Sequence, residues 1–496
     1  MLFFKFYAPE SFLAFSAISL LLFNTFIINF LKFKTPILNF EIFHQIGTIL
    51  LLLLFLLSNV SFFNIGFDFF FITSFALHNL KIFLTIIILF FFILIWRSFI
   101  LQKLNFFEYF IIILLILLGL LLLLNAYNLI SIYLCLEVQA LGFYILSSFD
   151  RTSIFSSEAG LKYFISSSLI SGIFLFGSLL IYGSLGTLNL YQLEFLIINF
   201  FEYSNNLSFF FLILVFFLIL NTLLFKLVIA PFHFWFPQIY AGSPLSSTIF
   251  FSTIPKIVLI HLFIQFWSII SNTFYFFNTI YFFIGIYSIF WGIFKMLKQK
   301  HLKKLYIYSS ISNMGLLLCL LVNNTLESIT AIYFFIAIYL ITSFLLWFSL
   351  VLVSYNKKNT ISINYPIFIT NFINIFKQHK LFAFAICFTF FSLAAIPPFC
   401  GFISKTYLYV LLVKSYKYEA AVFLIYLGVF GVYYYIKFLK IVFFETTSLK
   451  ITQAQNFFYI PYFNIDSTLY SISLFCLFFI SLKANLLSYY CSLFFI

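Results

Sequence analysis

The sequence predicts an all-α polytopic membrane protein of about fourteen transmembrane helices, with two inverted five-helix repeats and two broken helices. Three observations predict it. Of 496 residues, 64% are hydrophobic and only 8% are charged, whereas about a quarter of a soluble domain is charged. The apolar residues fall into runs of about 20, the length at which a helix crosses a ~30 Å hydrocarbon core. Two of the runs are too long for one straight crossing and carry prolines, Pro231 with Pro237 and Pro397 with Pro398, which interrupt a helix by removing backbone donors.

Polar breaks delimit the runs in order. The first three, 11–31, 46–64 and 82–101, make an N-terminal three-helix extension over 1–104. Spans 107–124, 127–147, 160–182, 208–240 and 246–268 make a first five-helix repeat within 105–270. Spans 273–294, 303–322, 327–352, 382–413 and 419–444 make the second, inverted repeat within 271–446, and a C-terminal loop and helix (468–490) complete 447–496. The long runs 208–240 and 382–413 are the broken helices, because lipid tolerates irregular backbone only where it faces protein or water. Each carries a lysine near its break, Lys226 or Lys405, and each precedes a span with another, Lys256 or Lys437, at nearly equal spacing. Broken helices at matching positions of two halves mark an inverted-repeat transporter.

The net charge of +13 would point to nucleic acid in a soluble protein. Here no polar domain surrounds the basic residues, so no nucleic acid partner is expected and the charge reports topology. Lys32, Lys34, Arg97, Lys103, Arg151, the cluster from Lys295 to Lys304, Lys357, Lys358, Lys377, Lys380, Lys440 and Lys450 fall on one side. Only Lys5, Lys81, Lys414, Lys417 and Lys483 fall on the other side or in the tails, which places both termini on the outer side. The excess of Phe (83) over Gly (16), with Arg97 and Arg151 as the sole arginines, looks like the imprint of an A+T-rich genome, as organelles often have. Most Phe are then lipid-facing filler rather than cofactor boxes. The six cysteines and six histidines are dispersed without zinc or iron–sulfur spacing, so no metal or bound cofactor is expected. The segment MLFFKFYAPE has no Arg- and Ser-rich presequence; a mitochondrial protein starting this way would be made inside the organelle.

Ionisable groups inside spans are functional candidates, since each costs at least ~2.5–3.5 kcal/mol at the bilayer centre. Glu137 sits midway along its span with no charged neighbour in it, and Lys226, just before the Pro231 break, is the expected partner. Lys256 follows Pro255 near the middle of its span, too deep for snorkelling. Lys405 follows the second break and is the corresponding charge of the second half. Lys162, near Asp150, Arg151 and Glu158, and Lys437, toward the basic side, are equally open to an interfacial reading. His233 beside Pro231 is a candidate proton relay or a cap for freed carbonyls. Ser309, Ser310, Ser312 and Asn313 make one turn unusually polar, either to hold water that carries protons or to bond neighbouring helices.

The blocks KLVIAPFHFWFPQIYAGSPLSSTIFFSTIPK, SSEAGLKYFISSSLISGIFLFGSLLIYGSLGTLNL, KKLYIYSSISNMG and LAAIPPFCGFISKTYLYVLLV resemble the antiporter-like membrane subunits of respiratory NADH:ubiquinone oxidoreductase, complex I, in its subunit 2 or bacterial chain N group. The resemblance covers roughly 125–440, and its P-F-H-F-W, G-S-P and P-K block is the most specific part. It implies a proton-translocating subunit of the mitochondrial inner membrane without a redox centre of its own. NADH, FMN, iron–sulfur clusters and ubiquinone would belong to the rest of the complex. The implied partners are a neighbouring antiporter-like subunit 4, small subunits beside the quinone end, the lateral helix of subunit 5, and membrane lipids. The family's proton-conducting positions map onto Glu137, Lys162, Lys226, Lys256 and Lys405, which raises Lys162 above its interfacial alternative. Gln238 departs from the family's usual Asp, and Asn313 from a frequent His. Animal relatives lack the first three spans, which this chain keeps. A cation/proton antiporter subunit and a non-conducting structural spacer are the alternatives.

Overall fold

The computed structural model describes residues 8–31, 40–58, 64–66, 70–102, 107–203, 206–271, 274–355, 369–373, 376, 379–445 and 464–492. Lys5, Lys32, Lys34, Lys103, Lys357, Lys358, Lys377 and Lys450, on which the expected sidedness partly rests, lie outside them. Among the described residues, ten helices are long and apolar enough to cross a membrane. Four further expected spans fall on shorter apolar helices, within 8–23, 47–58, 380–394 and 470–482. The chain divides into two compact units, one built mainly from Met1–Val228 and Gln238–Phe277, the other from Ile229–Pro237 and Asn278–Ser492.

The first unit begins with α1 (Ala8–Leu31) and α2 (Phe40–Ser58), a hairpin of β1 (Asn64–Gly66) and β2 (Phe71–Thr73), and α3 (Phe75–Gln102). It continues with α4 (Phe107–Asn125), α5 (Leu129–Ser147), α6 (Ile154–Leu185), α7 (Leu190–Tyr203), α8 (Asn206–Leu227), α9 (Trp235–Gly242, which the two units share) and α10 (Leu245–Ser271). Sequence sets the ends locally. Asn128 and Ser131 form a capping box that starts α5, Ser153 caps α6, and Gly186 at φ 73° ends it. These caps satisfy backbone groups that helix ends leave open. The apolar stretch of α10 is 94% buried against 33% for that of α6, so α10 is the core of the unit and α6 exposes residues such as Leu161, Phe164 and Leu169.

Lys81 corrects the sequence reading. Expected in a loop, it lies inside α3, 1% exposed, with its ammonium 2.5 Å from Glu10 of α1. The same Glu10 oxygen accepts from the Asn125 amide at 2.9 Å, so one buried carboxylate ties the N-terminal helices to α4. The span boundary at 82 had excluded Lys81, and hydropathy carries no information about a partner 71 residues away.

The second unit holds α11 (Tyr275–Leu297), α12 (Leu302–Leu321), α13 (Leu326–Tyr355), a 3₁₀ turn (Ile369–Phe372), α14 (Lys380–Ala394), α15 (Cys400–Lys414), α16 (Tyr418–Phe443), α17 (Asn464–Leu482) and α18 (Ala484–Ser492). Small residues let α11 and α12 pack closely: a Cβ on Gly315 would collide with Ser288 Oγ. Two lysines clip the α15–α16 turn to the α12–α13 turn, Lys414 on Glu327 at 2.5 Å and Lys417 on Asn323 at 3.0 Å. Lys303 and Lys304, placed by sequence in a basic loop, are already in the first turn of α12.

Breaking a buried ion pair by removing one charge costs about 3–5 kcal/mol. Glu10→Gln should therefore lower the thermal midpoint of the detergent-solubilised protein clearly, and Glu10→Leu with Lys81→Met should recover most of the loss. Equal midpoints for wild type and Glu10→Gln would show that the pair does not hold the N-terminal helices.

Candidate functional site

Both expected broken helices are broken. The first run is α8, an irregular segment and α9; the second is α14, an irregular segment and α15. Each break opens on a left-handed residue, Val228 at φ 64° or Ala395 at φ 57°, three residues ahead of Pro231 or Pro398. A β-branched residue rarely adopts that conformation, so surrounding contacts hold Val228 there. Proline at these positions withholds the N–H groups that would rejoin the helix halves.

The candidate side chains distribute around these breaks. Glu137 is in the middle of α5, half-buried, and its Oε1 is buried with no hydrogen-bond partner. Lys226, half-buried in the last turn of α8, interacts electrostatically with Glu137, yet the two close no hydrogen bond. The expected pairing is thus a through-space interaction rather than a contact. Tyr144, two turns along α5, also feels the carboxylate and shares a hydroxyl hydrogen bond with Ser167 of α6. Sequence reasoning missed both, because a single tyrosine in so aromatic a chain carries no signal.

Lys256 is 4% exposed within α10, one residue after Pro255, the proline inside that helix. The missing Pro255 N–H frees a backbone carbonyl in a helix half that also buries Ser246, Ser247, Thr248, Ser252 and Thr253. Lys405, on the second turn of α15, donates to the Leu393 carbonyl at 3.3 Å, near the C-terminus of α14. It caps the broken end instead of snorkelling away from it.

Lys162 is placed differently. Its side chain is 47% exposed and paired with Glu158 one turn earlier at 2.6 Å, and it donates to Gln238 Oε1 of α9 at 3.2 Å. Gln238 therefore serves as a neutral acceptor for this lysine. The irregular backbone does not open His233 to water within the chain. It is 3% exposed, its ring sits 5.6 Å from that of Trp291, and its Nδ1 is buried without a hydrogen-bond partner. Lys437 lies on the exposed face of α16 beside Tyr433 and Ile436 and joins none of the other candidates. On α12, Ser309, Ser310 and Ser312 are buried and donate to carbonyls one turn back at 2.7–2.8 Å, while Asn313 is half-buried on the same helix. The arrangement places Lys226 and Lys405 beside the two breaks and Lys256 in a core helix, with Lys162 and Lys437 exposed.

Residues 126–431 match the family described as NADH:quinone oxidoreductase/Mrp antiporter, TM. The chain is 33% identical over 412 residues to NADH-quinone oxidoreductase subunit N of Orientia tsutsugamushi, covering 81% of this chain and 84% of that one. It is 32% identical over 351 residues to NADH-ubiquinone oxidoreductase chain 2 of Marchantia polymorpha, covering 70% and 69%. In fold it resembles a chain of respiratory complex I from Thermus thermophilus, with a TM-score of 0.75 at 20% identity over 97% of this chain and 98% of that one. It likewise resembles a chain of the Mrp complex from Dietzia sp., with a TM-score of 0.77 at 16% identity over 98% and 97%.

The second break depends on close approach at Gly401, where a Cβ would run into the Ser392 carbonyl oxygen of α14. Gly401→Ala should destabilise by about 1–3 kcal/mol, as overpacking does, read as a lower thermal midpoint of the solubilised protein. An unchanged midpoint would mean that the break adapts freely.

Proposed function

Because this chain belongs to the NADH:quinone oxidoreductase/Mrp antiporter membrane-subunit family, we propose that it is an antiporter-like membrane-arm subunit of respiratory complex I. In that role it couples electron transfer from NADH to ubiquinone to proton translocation through Glu137, Lys162, Lys226, Lys256 and Lys405. The observation that carries the mechanism is the Glu137 and Lys226 arrangement, in which a carboxylate with an unbonded buried oxygen acts without contact on an amine of α8 in the same unit. Such a pair is poised: a small displacement of either charge changes which of the two holds a proton, since desolvation and a nearby opposite charge act against each other on each group.

The energies match the task. Two unit charges at 4 Å interact by about 4 kcal/mol at an effective dielectric of 20, and moving one charge across 100 mV costs about 2.3 kcal/mol. Quinone reduction elsewhere in the complex would reset the Glu137 and Lys226 pairing, and the proton affinities of Lys162, Lys256 and Lys405 would follow in turn. His233, Ser309 and Asn313 are candidate relays. Lys437, exposed on α16, is the weakest of that group.

The wider architecture of this reading has fourteen crossings: an N-terminal extension (1–104), inverted repeats over 105–270 and 271–446, and a final segment (447–496). The location is the mitochondrial inner membrane, with both termini in the intermembrane space, and the plant chain 2 relative supports it. Redox cofactors would reside in other subunits, and the partners would be the neighbouring antiporter-like subunit 4, the small subunits beside the quinone end and the lateral helix of subunit 5. The exposed Lys162 on the lipid-facing side of α6 fits a partner subunit completing its surroundings. A cation/proton antiporter subunit is the second reading, favoured by the Mrp half of the family description.

Purification from native membranes should bring the chain down with rotenone-sensitive NADH:ubiquinone activity. Recovery with cation/proton exchange partners alone would transfer the assignment to the second reading. In the assembled complex, Glu137→Gln and Lys256→Ala should each lower coupled turnover about tenfold, equivalent to about 1.4 kcal/mol of barrier. Wild-type turnover and proton stoichiometry in both variants would defeat the mechanism.

A further inference from the structure

Within the second unit, α12 presents Tyr306, Ser309, Ser310 and Asn313 at spacings of three, four and seven residues, which is one helix face. Other helices bring phenols to that face. Tyr435 of α16 faces Ser309, and Tyr339 of α13 faces Ser310. Tyr306 faces Ser349 of α13, yet its hydroxyl closes no hydrogen bond. The Tyr470 hydroxyl of α17 is likewise unpartnered and lies in the electrostatic range of Tyr306. All four tyrosines are more than nine-tenths buried.

Packing fixes the rings and leaves the oxygens to do something else. Tyr306 meets Trp347 edge-on at 5.7 Å, Tyr435 meets Phe390 at 6.0 Å, and Tyr470 stacks on Phe348 at 5.1 Å. A buried hydroxyl without a partner costs about 1–3 kcal/mol, and phenylalanine would keep the same ring contacts without that cost. Phenylalanine is also the default aromatic of this chain, 83 residues against 32 tyrosines. The serine hydrogens are committed to helix carbonyls at 2.7–2.8 Å, so the serine oxygens face the phenols as acceptors. An ordered water needs two to four polar partners, and this face offers them.

We propose that this tyrosine and serine face of α12 is a water-holding proton relay, in which the Tyr306 and Tyr435 hydroxyls pass protons through the second unit where Asn313 offers no titratable group. The proposal rests on the proton-translocating reading above and adds to it a set of conducting residues. In each transfer an O–H bond of a protonated water breaks as one forms on a phenolic oxygen, whose own proton leaves for the next water. Charge moves, no atom changes oxidation state, and each tyrosine ends as it began. The helix that carries Lys405, α15, packs against both α12 and α13, which puts the relay in the same bundle as that lysine.

The test uses full-length variants in the assembled complex, reconstituted into liposomes with NADH and ubiquinone. Tyr306→Phe with Tyr435→Phe removes two oxygens and keeps both rings, so flavin content and thermal midpoint should match wild type. Proton pumping should fall at least threefold, with a changed ratio of rates in H2O and D2O. Lys405→Ala is run in parallel. Wild-type pumping and isotope ratio in the tyrosine variant, with Lys405→Ala impaired, would overturn the relay and leave the function standing. Wild-type pumping in both would overturn the relay together with the conducting reading it rests on. Should the double variant not assemble, Tyr435→Phe alone is judged by the same measurements.

Discussion

The hydrogen-bonding demand of the backbone in lipid governs this molecule. A peptide group left open in hydrocarbon costs several kcal/mol, so an apolar chain of this composition is helical wherever it meets lipid. Interruptions survive only where protein supplies the missing partners. At the second break the partner is visible: Lys405 reaches back to the Leu393 carbonyl, and Gly401 admits the Ser392 carbonyl at a distance that no side chain would permit. The charged group and the broken helix stabilise each other, which explains why they occur together.

The same constraint separates buried from exposed charges. Lys256 occupies the helix with the highest buried share of the first unit and is itself buried. Lys162 and Lys437 project from the more exposed helices α6 and α16, and they differ in their company. Lys162 has Glu158 and Gln238, a local network that reduces the cost of its charge, whereas Lys437 stands among Tyr433 and Ile436. A lysine near a helix end can extend toward water along its own stem, so exposure on α16 needs no functional account.

Much of the candidate site was legible in the sequence because ionisable residues are conspicuous in an apolar run. Glu137, Lys226, Lys256 and Lys405 could be found by that contrast alone, and the proline pairs located both breaks. The contrast fails in two situations. Near a span boundary a charge looks like loop, which is how Lys81 and Lys303 were placed outside their helices. Among aromatics a hydroxyl is invisible, and the tyrosines that face Ser309 and Ser310 come from two other helices with no common motif.

By itself the sequence determined the helical class, the order of the apolar segments, the positions of the breaks and which segments carry charge, because all of these follow from local hydropathy and from the backbone chemistry of proline. Tertiary structure alone decided which charges have partners. It joined Glu10 to Lys81 and Asn125, and it held Glu137 and Lys226 in interaction without contact. It also turned Lys405 onto a broken helix end. Those outcomes depend on distances between residues far apart in the chain, and the electrostatic energy of a buried pair changes steeply with such distances.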